Sequence, residues 1–535
     1  LASRSCVRKL AAMVRTKGPT DPREKRIRQM SRALGVDIAQ VAKMLEEQER
    51  KAAGGGEEEA SSPPQEAAPA AAAADDPFSK FLRNQDGGSA AGESAAKEDE
   101  GKEKGQEEPE VSGQVLVCGG TDWDNIGRKL GTSGDLVSPH RLLGFTARVK
   151  AVCTGPTANH SVCVDVNGRA FSWGRNGDGQ LGQGDTRTRP APTLVAGLEG
   201  VSVRGAACGR GHTVFWADDG QLFSAGCGKS GQLGTGRQMD SCPQVKPVTM
   251  PGVHVAKASC GTDFTVVLSR DGSLYSFGHP EHGQLGLGET GEYFITGSKI
   301  SFDFVTRPTR VSAFLVKPDP RNKHVEDAGR VLVAEVACGR NHCVALERAP
   351  GSRVFTWGFG GYGRLGHGSQ EEQLRPMCVD TFKRMSHIKV KKVSAGSGCC
   401  MAVTTAGHLY YWGKLPNAPR GEATTTPRLV DDLSNWETRD VTGGNASIMV
   451  AAETSCVAWG ASVAGELGYG EGDDITRTSS KPKIVDPMEG ATVLSVKMGY
   501  GHTLFLVRDT TAEDEALLAK TKEFDGEQTA AELGD

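Results

Sequence analysis

The chain has 535 residues, 37% of them hydrophobic and 6% aromatic, with a formal net charge of −4. It is long enough to bury a substantial core, and no window is long and apolar enough to read as a transmembrane span. Its 14 cysteines are unpatterned and include no CxxC, which argues against a disulfide framework and for a reducing compartment.

The small net charge conceals a division. Residues 1–50 carry +6, residues 51–110 carry −9, residues 509–535 carry −7, and the body between them about +6. Such segregation fits electrostatic partners, and equally solubility with intramolecular attraction.

Residues 1–20 hold five basic residues and no acid, a composition shared with organelle transit peptides. Asp21 and Glu24 follow closely behind Met13, unlike such a peptide, and the expectation is no targeting peptide. Asp21-Pro22 with Glu24 combines an N-cap, a first-turn proline and a capping-box acid. A first helix is predicted to end near Leu34-Gly35, and Asp37 to cap a second with Ile38, Val41, Met44 and Leu45 on one face. Residues 1–50 therefore read as a basic helical head. Its cations Arg8, Lys9, Arg15, Lys17, Arg23, Lys25, Arg26 and Arg28 suit nucleic acid, acidic microtubule tails or an anionic membrane, and charge alone does not choose among them. Residues 51–111, rich in Ala, Gly, Glu, Pro and Ser, read as a disordered acidic linker.

From residue 112 to 508 two phrases alternate. The first is a small residue or Cys-Gly, a short loop often ending in His, then an apolar strand: VCTGPTANHSVCV, AACGRGHTVFW, ASCGTDFTVVL, VACGRNHCVAL, VSAGSGCCMAV, VTGGNASIMVA and VKMGYGHTLFL. The second is clearest as FSWGRNGDGQLGQGD, Phe171 to Asp185, with relatives anchored at Ala225, Phe277, Trp357, Trp412 and Trp459. From Trp173 onward the anchors are 52, 52, 80, 55 and 47 residues apart. Repeats of this period with several short strands each define propeller blades. The fold class is all-β, a seven-bladed β-propeller. Seven strand phrases face six clear anchors, so VLVCGGTDWDNIGRK, from Val115, is read as a worn seventh whose strand pairs with Val496 to Val507 and closes the ring. Four tryptophan anchors, Trp173, Trp357, Trp412 and Trp459, are predicted to be buried.

The long step marks an insertion, Gly291 to Arg330. KISFDFVTRP alternates apolar and polar residues and predicts an added strand or hairpin. The basic, Pro-rich second half, with Lys317, Arg321, Lys323 and Arg330, reads as a surface loop for partner contact or as mere loop growth. Beyond Asp509 an acidic tail begins with a helical EDEALLAKTKEF. No metal-ligand spacing, no GK[ST] phosphate loop and no nucleophile elbow occurs, so no cofactor and no covalent chemistry are expected.

The two interleaved phrases resemble the regulator of chromosome condensation family of seven-bladed propellers, over about 395 residues. TDWDNIGRK, WGFGGYGRLGH and GELGYGEGD look most like its mitotic telophase-disc branch. The resemblance implies a small-GTPase partner, with association to microtubules or chromosomes and a nuclear and cytoplasmic, cytoskeleton-associated location. A mitochondrial location is the alternative. An exchange factor of this kind would act by binding the nucleotide-free GTPase more tightly than the loaded one. In the family exchange factor, acids and histidines beside the GxxH loops lie on one face. Here that slot holds His160, His212, His342 and His502, and in the third phrase Asp263. Asp263 reads as the exchange acid or as a turn residue bonding loop amides, and the histidines as partner contacts or as structural hydrogen-bonding groups near the axis. The family's ultraviolet-B photoreceptor needs clustered extra tryptophans, whereas Trp123, Trp216 and Trp436 are scattered here. The reading from another class is a non-catalytic scaffold of a larger assembly, such as an organellar ribonucleoprotein or a microtubule complex, with RNA as a further partner for the head.

Overall fold

The apolar phrase of each repeat forms a strand that is buried on both faces. HTVFWA at His212–Ala217 and FTVVLS at Phe264–Ser269 are buried at every residue, because each sheet packs between two neighbouring sheets. In the computed structural model, residues 112–526 are described apart from 127–133, 297–298, 318–323, 349–351, 386, 416–422 and 471–477. The expected helical head with its eight cations, the linker, and Arg321 and Lys323 lie outside the described residues.

Seven antiparallel four-stranded blades surround an axis. Blade 2 consists of Val149–Cys153, His160–Asp165, Ala170–Gly174 and Arg189–Leu194, from the axis outward. Blade 3 runs from Val203–Cys208 to Met239–Val248, blade 4 from Val255–Cys260 to Val305–Arg310, and blade 5 from Val333–Cys338 to Gln373–Cys378. Blade 6 runs from Val390–Ala395 to Thr424–Leu429, and blade 7 from Asp440–Gly443 to Ser479–Ile484. Blade 1 is composite. Val493–Met498 and His502–Val507 come from the end of the propeller, Gln114–Gly119 and Leu136–Leu142 from its start. The closing register pairs Gln114 with Val507 and Gly119 with His502, as the worn first repeat implies.

The outer edge of each blade is the exposed one, and all seven outermost strands contain proline: Pro139, Pro190, Pro247, Pro308, Pro376, Pro427 and Pro482 are one from each. A missing N–H is tolerated on a free edge, and it blocks pairing with another chain. Blade 1 is covered further. Thr511 and Asp514 form a capping box that starts the helix Ala512–Lys520, and Glu523–Phe524 then pairs in parallel with Arg141–Leu142. Leu518 and Phe524 are buried in the propeller core, so the acidic tail docks as far as Phe524.

The insertion divides. Glu292–Thr296 and Lys299–Phe302 make a separate hairpin, and Leu315–Val316 adds in parallel to the outer strand of blade 5. The anchors fill the blade interfaces: Trp173, Trp357 and Trp412 are fully buried and Trp459 is 8% exposed. The Trp357 indole donates to the Gln284 carbonyl at 2.9 Å, across to blade 4. Trp357→Ala is expected to cost about 3–5 kcal/mol, as large-to-small core changes do, read as a lower midpoint in equilibrium urea unfolding.

Candidate partner-binding face

Strands alternate direction within a blade. The loops joining first to second strands and those joining third to fourth strands therefore open on the same face. That face carries the CGxxH loops, the GQLG loops and the insertion hairpin. The second-to-third hairpins and the blade crossovers lie on the other.

Gly and His of the CGxxH phrase are one device. A Cβ on Gly339 would lie 2.1 Å from Cε1 of His342, and Gly209 and Gly499 stand in the same relation to His212 and His502. The glycine leaves space for the imidazole to fold inward. All four histidines are then fully buried, and each bonds to the next blade. His160 Nε2 meets Thr213 Oγ1 at 2.7 Å, His212 meets Thr265 Oγ1 at 3.1 Å, His342 meets the Cys399 carbonyl at 3.2 Å and His502 meets Ser161 Oγ at 2.7 Å. The Thr213 and Thr265 hydroxyls donate to the Gln180 and Gln232 carbonyls at 2.6 and 3.0 Å. Their single protons are thus committed, and the imidazoles must donate from Nε2. Among the described residues, Nδ1 of all four has no hydrogen-bond partner, so a second proton would be buried without compensation. Desolvation accordingly pulls His160, His342 and His502 down to about 3 and His212 to about 4. Partner contact by His160, His212, His342 and His502 is therefore corrected. Of the two readings the sequence allows, the geometry carries the structural one, because full burial withholds these rings from any docking surface.

Asp263 differs. Blade 4 replaces the histidine with Phe264, whose ring lies over Gly261, and the acid before it stays at the surface. Its carboxylate accepts from Arg210 of blade 3 at 2.7 Å, with side-chain exposures of 22% and 63%, and from the Gln232 side-chain amide of the same blade's GQLG loop at 3.5 Å. Its own carbonyl accepts the His279 N–H at 2.9 Å. The His279 ring packs on Phe302 and Phe304, at 5.1 and 5.0 Å between centroids. Phe302 ends the insertion hairpin, where Tyr293, Phe294, Ile295 and Ile300 are 42–51% exposed. Three of these are consecutive, so both faces of the hairpin carry exposed apolar groups. A lone two-stranded hairpin is marginal in water, and exposed apolar surface of this kind marks interaction sites.

Blade 5 extends the face. Arg364, itself only 5% exposed, stands where blades 2 to 4 have Gln and blade 7 has Glu466, and packs against Phe359 at 4.7 Å beneath the exposed Tyr362. Tyr362, 53% exposed at φ +61°, meets Lys414 at 5.4 Å. A bulky residue in the left-handed region is strained, and such strain clusters at functional sites. The sequence signal for these residues is departure from the repeat: GRLG in place of GQLG, and TDF in place of xxH. Lys317 and Arg330 are not brought to this face. They follow the outer strand of blade 4, where the Lys317 carbonyl accepts from Lys383 and Arg330 is exposed.

A closed ring of seven such blades, four of them joined to the next by a buried histidine, defines an RCC1-type propeller. The family profile described as "Regulator of chromosome condensation (RCC1) repeat" matches residues 167–216, 219–268, 271–346 and 352–403, and the chain belongs to this family. It is 38% identical to "Protein RCC2 homolog" of Danio rerio over 78% of this chain and 85% of the relative, and 38% identical to "Protein RCC2" of Homo sapiens over 77% and 79%. Among solved structures, Prp20p from Saccharomyces cerevisiae, described with its binding properties to Gsp1p and histones, superimposes with a TM-score of 0.57 at 17% identity. That match covers 76% of this chain and 94% of Prp20p and shows the fold.

The buried histidines set a pH dependence. Their folded values lie below the ordinary ~6.5, so the unfolded chain takes up protons first as pH falls. The stability they protect is complete above about pH 6.5 and is lost as pH drops toward 3–4, the values reached in the fold. The unfolding free energy from urea titrations should fall between pH 7 and 5 by at most ~1.4 kcal/mol per histidine per pH unit. His212→Gln, which keeps an Nε2 donor, should flatten that slope.

Proposed function

We propose that this chain is a non-enzymatic propeller that engages a small GTPase through its CGxxH face and promotes release of the bound nucleotide. It would act in the nucleus and cytoplasm with chromatin or cytoskeletal association. The observation that carries the reading is the contiguity of Asp263, His279 and the exposed apolar hairpin on one face. The likeness to RCC2 supports it and favours this location over a mitochondrial one. In this mechanism no bond is made or broken. The hairpin supplies apolar docking area. Asp263 exchanges its partner Arg210 for a cationic or hydroxyl group that the GTPase otherwise commits to phosphate or Mg²⁺. Tighter binding of the empty GTPase then expels nucleotide by linkage. The basic head, Arg8 to Arg28, with Lys317 and Arg330, would add contacts to acidic surfaces or nucleic acid.

The test is release of a fluorescent nucleotide from a panel of small GTPases, with the full chain. Wild type is expected to accelerate release from at least one. Asp263→Ala should lose about tenfold or more of that acceleration while still capturing the GTPase, and Phe294→Ser with Ile295→Ser should lose capture. Neither capture nor acceleration across the panel would sink the reading and leave a scaffold role.

A further inference from the structure

Blade 5 departs from the repeat in its core as well as on its face. Where an innermost strand meets its loop, its last residue sits directly opposite the second strand. That pair is Cys208–Thr213 in blade 3, Cys260–Thr265 in blade 4 and Met498–Thr503 in blade 1. In blade 5 it is Cys338–Cys343, with the sulfurs 3.7 Å apart. The Gly339 N–H bonds to the His342 carbonyl at 2.8 Å, so the next pair along, Cys338–Cys343, is a non-hydrogen-bonded one. Cα atoms in such pairs lie about 4.5 Å apart, at the near end of the separations that a disulfide spans.

The joint between blades 4 and 5 is also built differently. Thr213 and Thr265 each bond to the imidazole of the blade before, His160 and His212. Blade 4 has Phe264 in place of that histidine, and the phenyl ring packs in one core with Cys338 and Cys343. Thiols take over the joint. Cys338 donates to the Ser259 carbonyl at 3.5 Å and Cys343 to the Gln284 carbonyl at 3.4 Å, both in blade 4. Each thiol has one proton, so both are committed across the joint. Cys338 also lines the axial cavity, whose volume of about 310 Å³ has room for a small uncharged oxidant.

We propose that Cys338 and Cys343 are an oxidisable dithiol, and that their disulfide loosens the joint beneath the Asp263 face. The oxidant is hydrogen peroxide. Its O–O bond breaks at the Cys338 sulfur, which becomes a sulfenic acid as one water is released. The Cys343 sulfur then attacks that sulfur, the S–S bond forms and a second water leaves. Two thiols and one hydrogen peroxide thus give one disulfide and two waters. Burial and the neighbouring Cys338 push the Cys343 thiol well up, which makes it slow toward free oxidant; contact with Cys338 compensates in the second step. Both protons that bonded to Ser259 and Gln284 are lost in the product. The Cys338 N–H to Ser259 Oγ and the Trp357 indole to the Gln284 carbonyl, each at 2.9 Å, still cross the joint. Blade 5 therefore stays folded while its hold on blade 4 weakens.

The test treats the full chain with hydrogen peroxide, blocks the remaining thiols and maps tryptic peptides by mass spectrometry. Cleavage after Arg340 separates the two cysteines, so a link between them holds two peptides together. The expected product is a Cys338–Cys343 link that dithiothreitol reverses. Amide hydrogen exchange in residues 255–264 and 280–290 should then rise about threefold or more, while blade 7 stays unchanged. Cys343→Thr installs the residue that blades 1, 3 and 4 carry at this position. It should fold, form no link and exchange alike with and without peroxide. Cys338 left as a free thiol, linked elsewhere or carried on to the sulfinic acid overturns the proposal. So does a link without faster exchange in blade 4, or peroxide-induced exchange that persists in Cys343→Thr.

Discussion

A radial sheet has two edges, one toward the axis and one toward solvent, and outside blades 1 and 5, whose outer strands take a short added strand, neither edge is paired by a further strand. The rest of this structure depends on how those edges are met. Outside, proline in every terminal strand removes donors that would otherwise recruit another chain. Inside, each blade borrows from its neighbour. Ser259 Oγ accepts the Cys338 N–H at 2.9 Å, and the Cys208, Cys260 and Cys338 thiols donate to the Cys153, Ala207 and Ser259 carbonyls at 3.8, 3.5 and 3.5 Å. Cysteine in the CG slot is thus a small buried donor spanning two blades.

The CGxxH lock does the same work on the loop face. Each imidazole bonds to the next blade, and at His212, His342 and His502 a glycine makes the space for the ring, so the motif is a joint between repeats. Ring closure then makes the joints mutually dependent: His502 of blade 1 bonds Ser161 of blade 2, and Trp123 packs edge-on against His502 at 5.2 Å. A histidine held inside by such a joint is chemically quiet, because protonation has no buried acceptor to stabilise it.

Function sits where the repeat is broken. In blade 4 the lock is lost, Phe264 fills the imidazole's place, and Asp263 is left on the surface with Arg210. The same blade carries the hairpin, held to Asp263 through His279. In blade 5 Arg364 takes the Gln position, its Nε donating to the Gly361 carbonyl at 2.8 Å and its Nη1 to Ser397 at 3.2 Å, and Tyr362 is turned outward. A uniform ring is a neutral platform, and its departures give it an orientation and a chemistry.

The sequence by itself determined the number of blades, their order, the burial of the tryptophan anchors and the closing strand. These follow from short-range pattern: apolar strands at a fixed period, glycines at turns, and an incomplete repeat at each end that must find the other. It also located the insertion and the odd acid, since both interrupt a visible periodicity. Only the tertiary structure decided which way side chains face. An xxH loop reads identically whether its imidazole points into the blade or out of it, and the inward ring is seen only in the fold, where it fills the space that Gly339 leaves beside His342. The insertion reads as one segment, yet its halves reach a free hairpin and the edge of blade 5. Cys338 and its acceptor Ser259 are far apart in the chain, each unremarkable on its own strand, and they meet because closure brings seven inner edges around one axis.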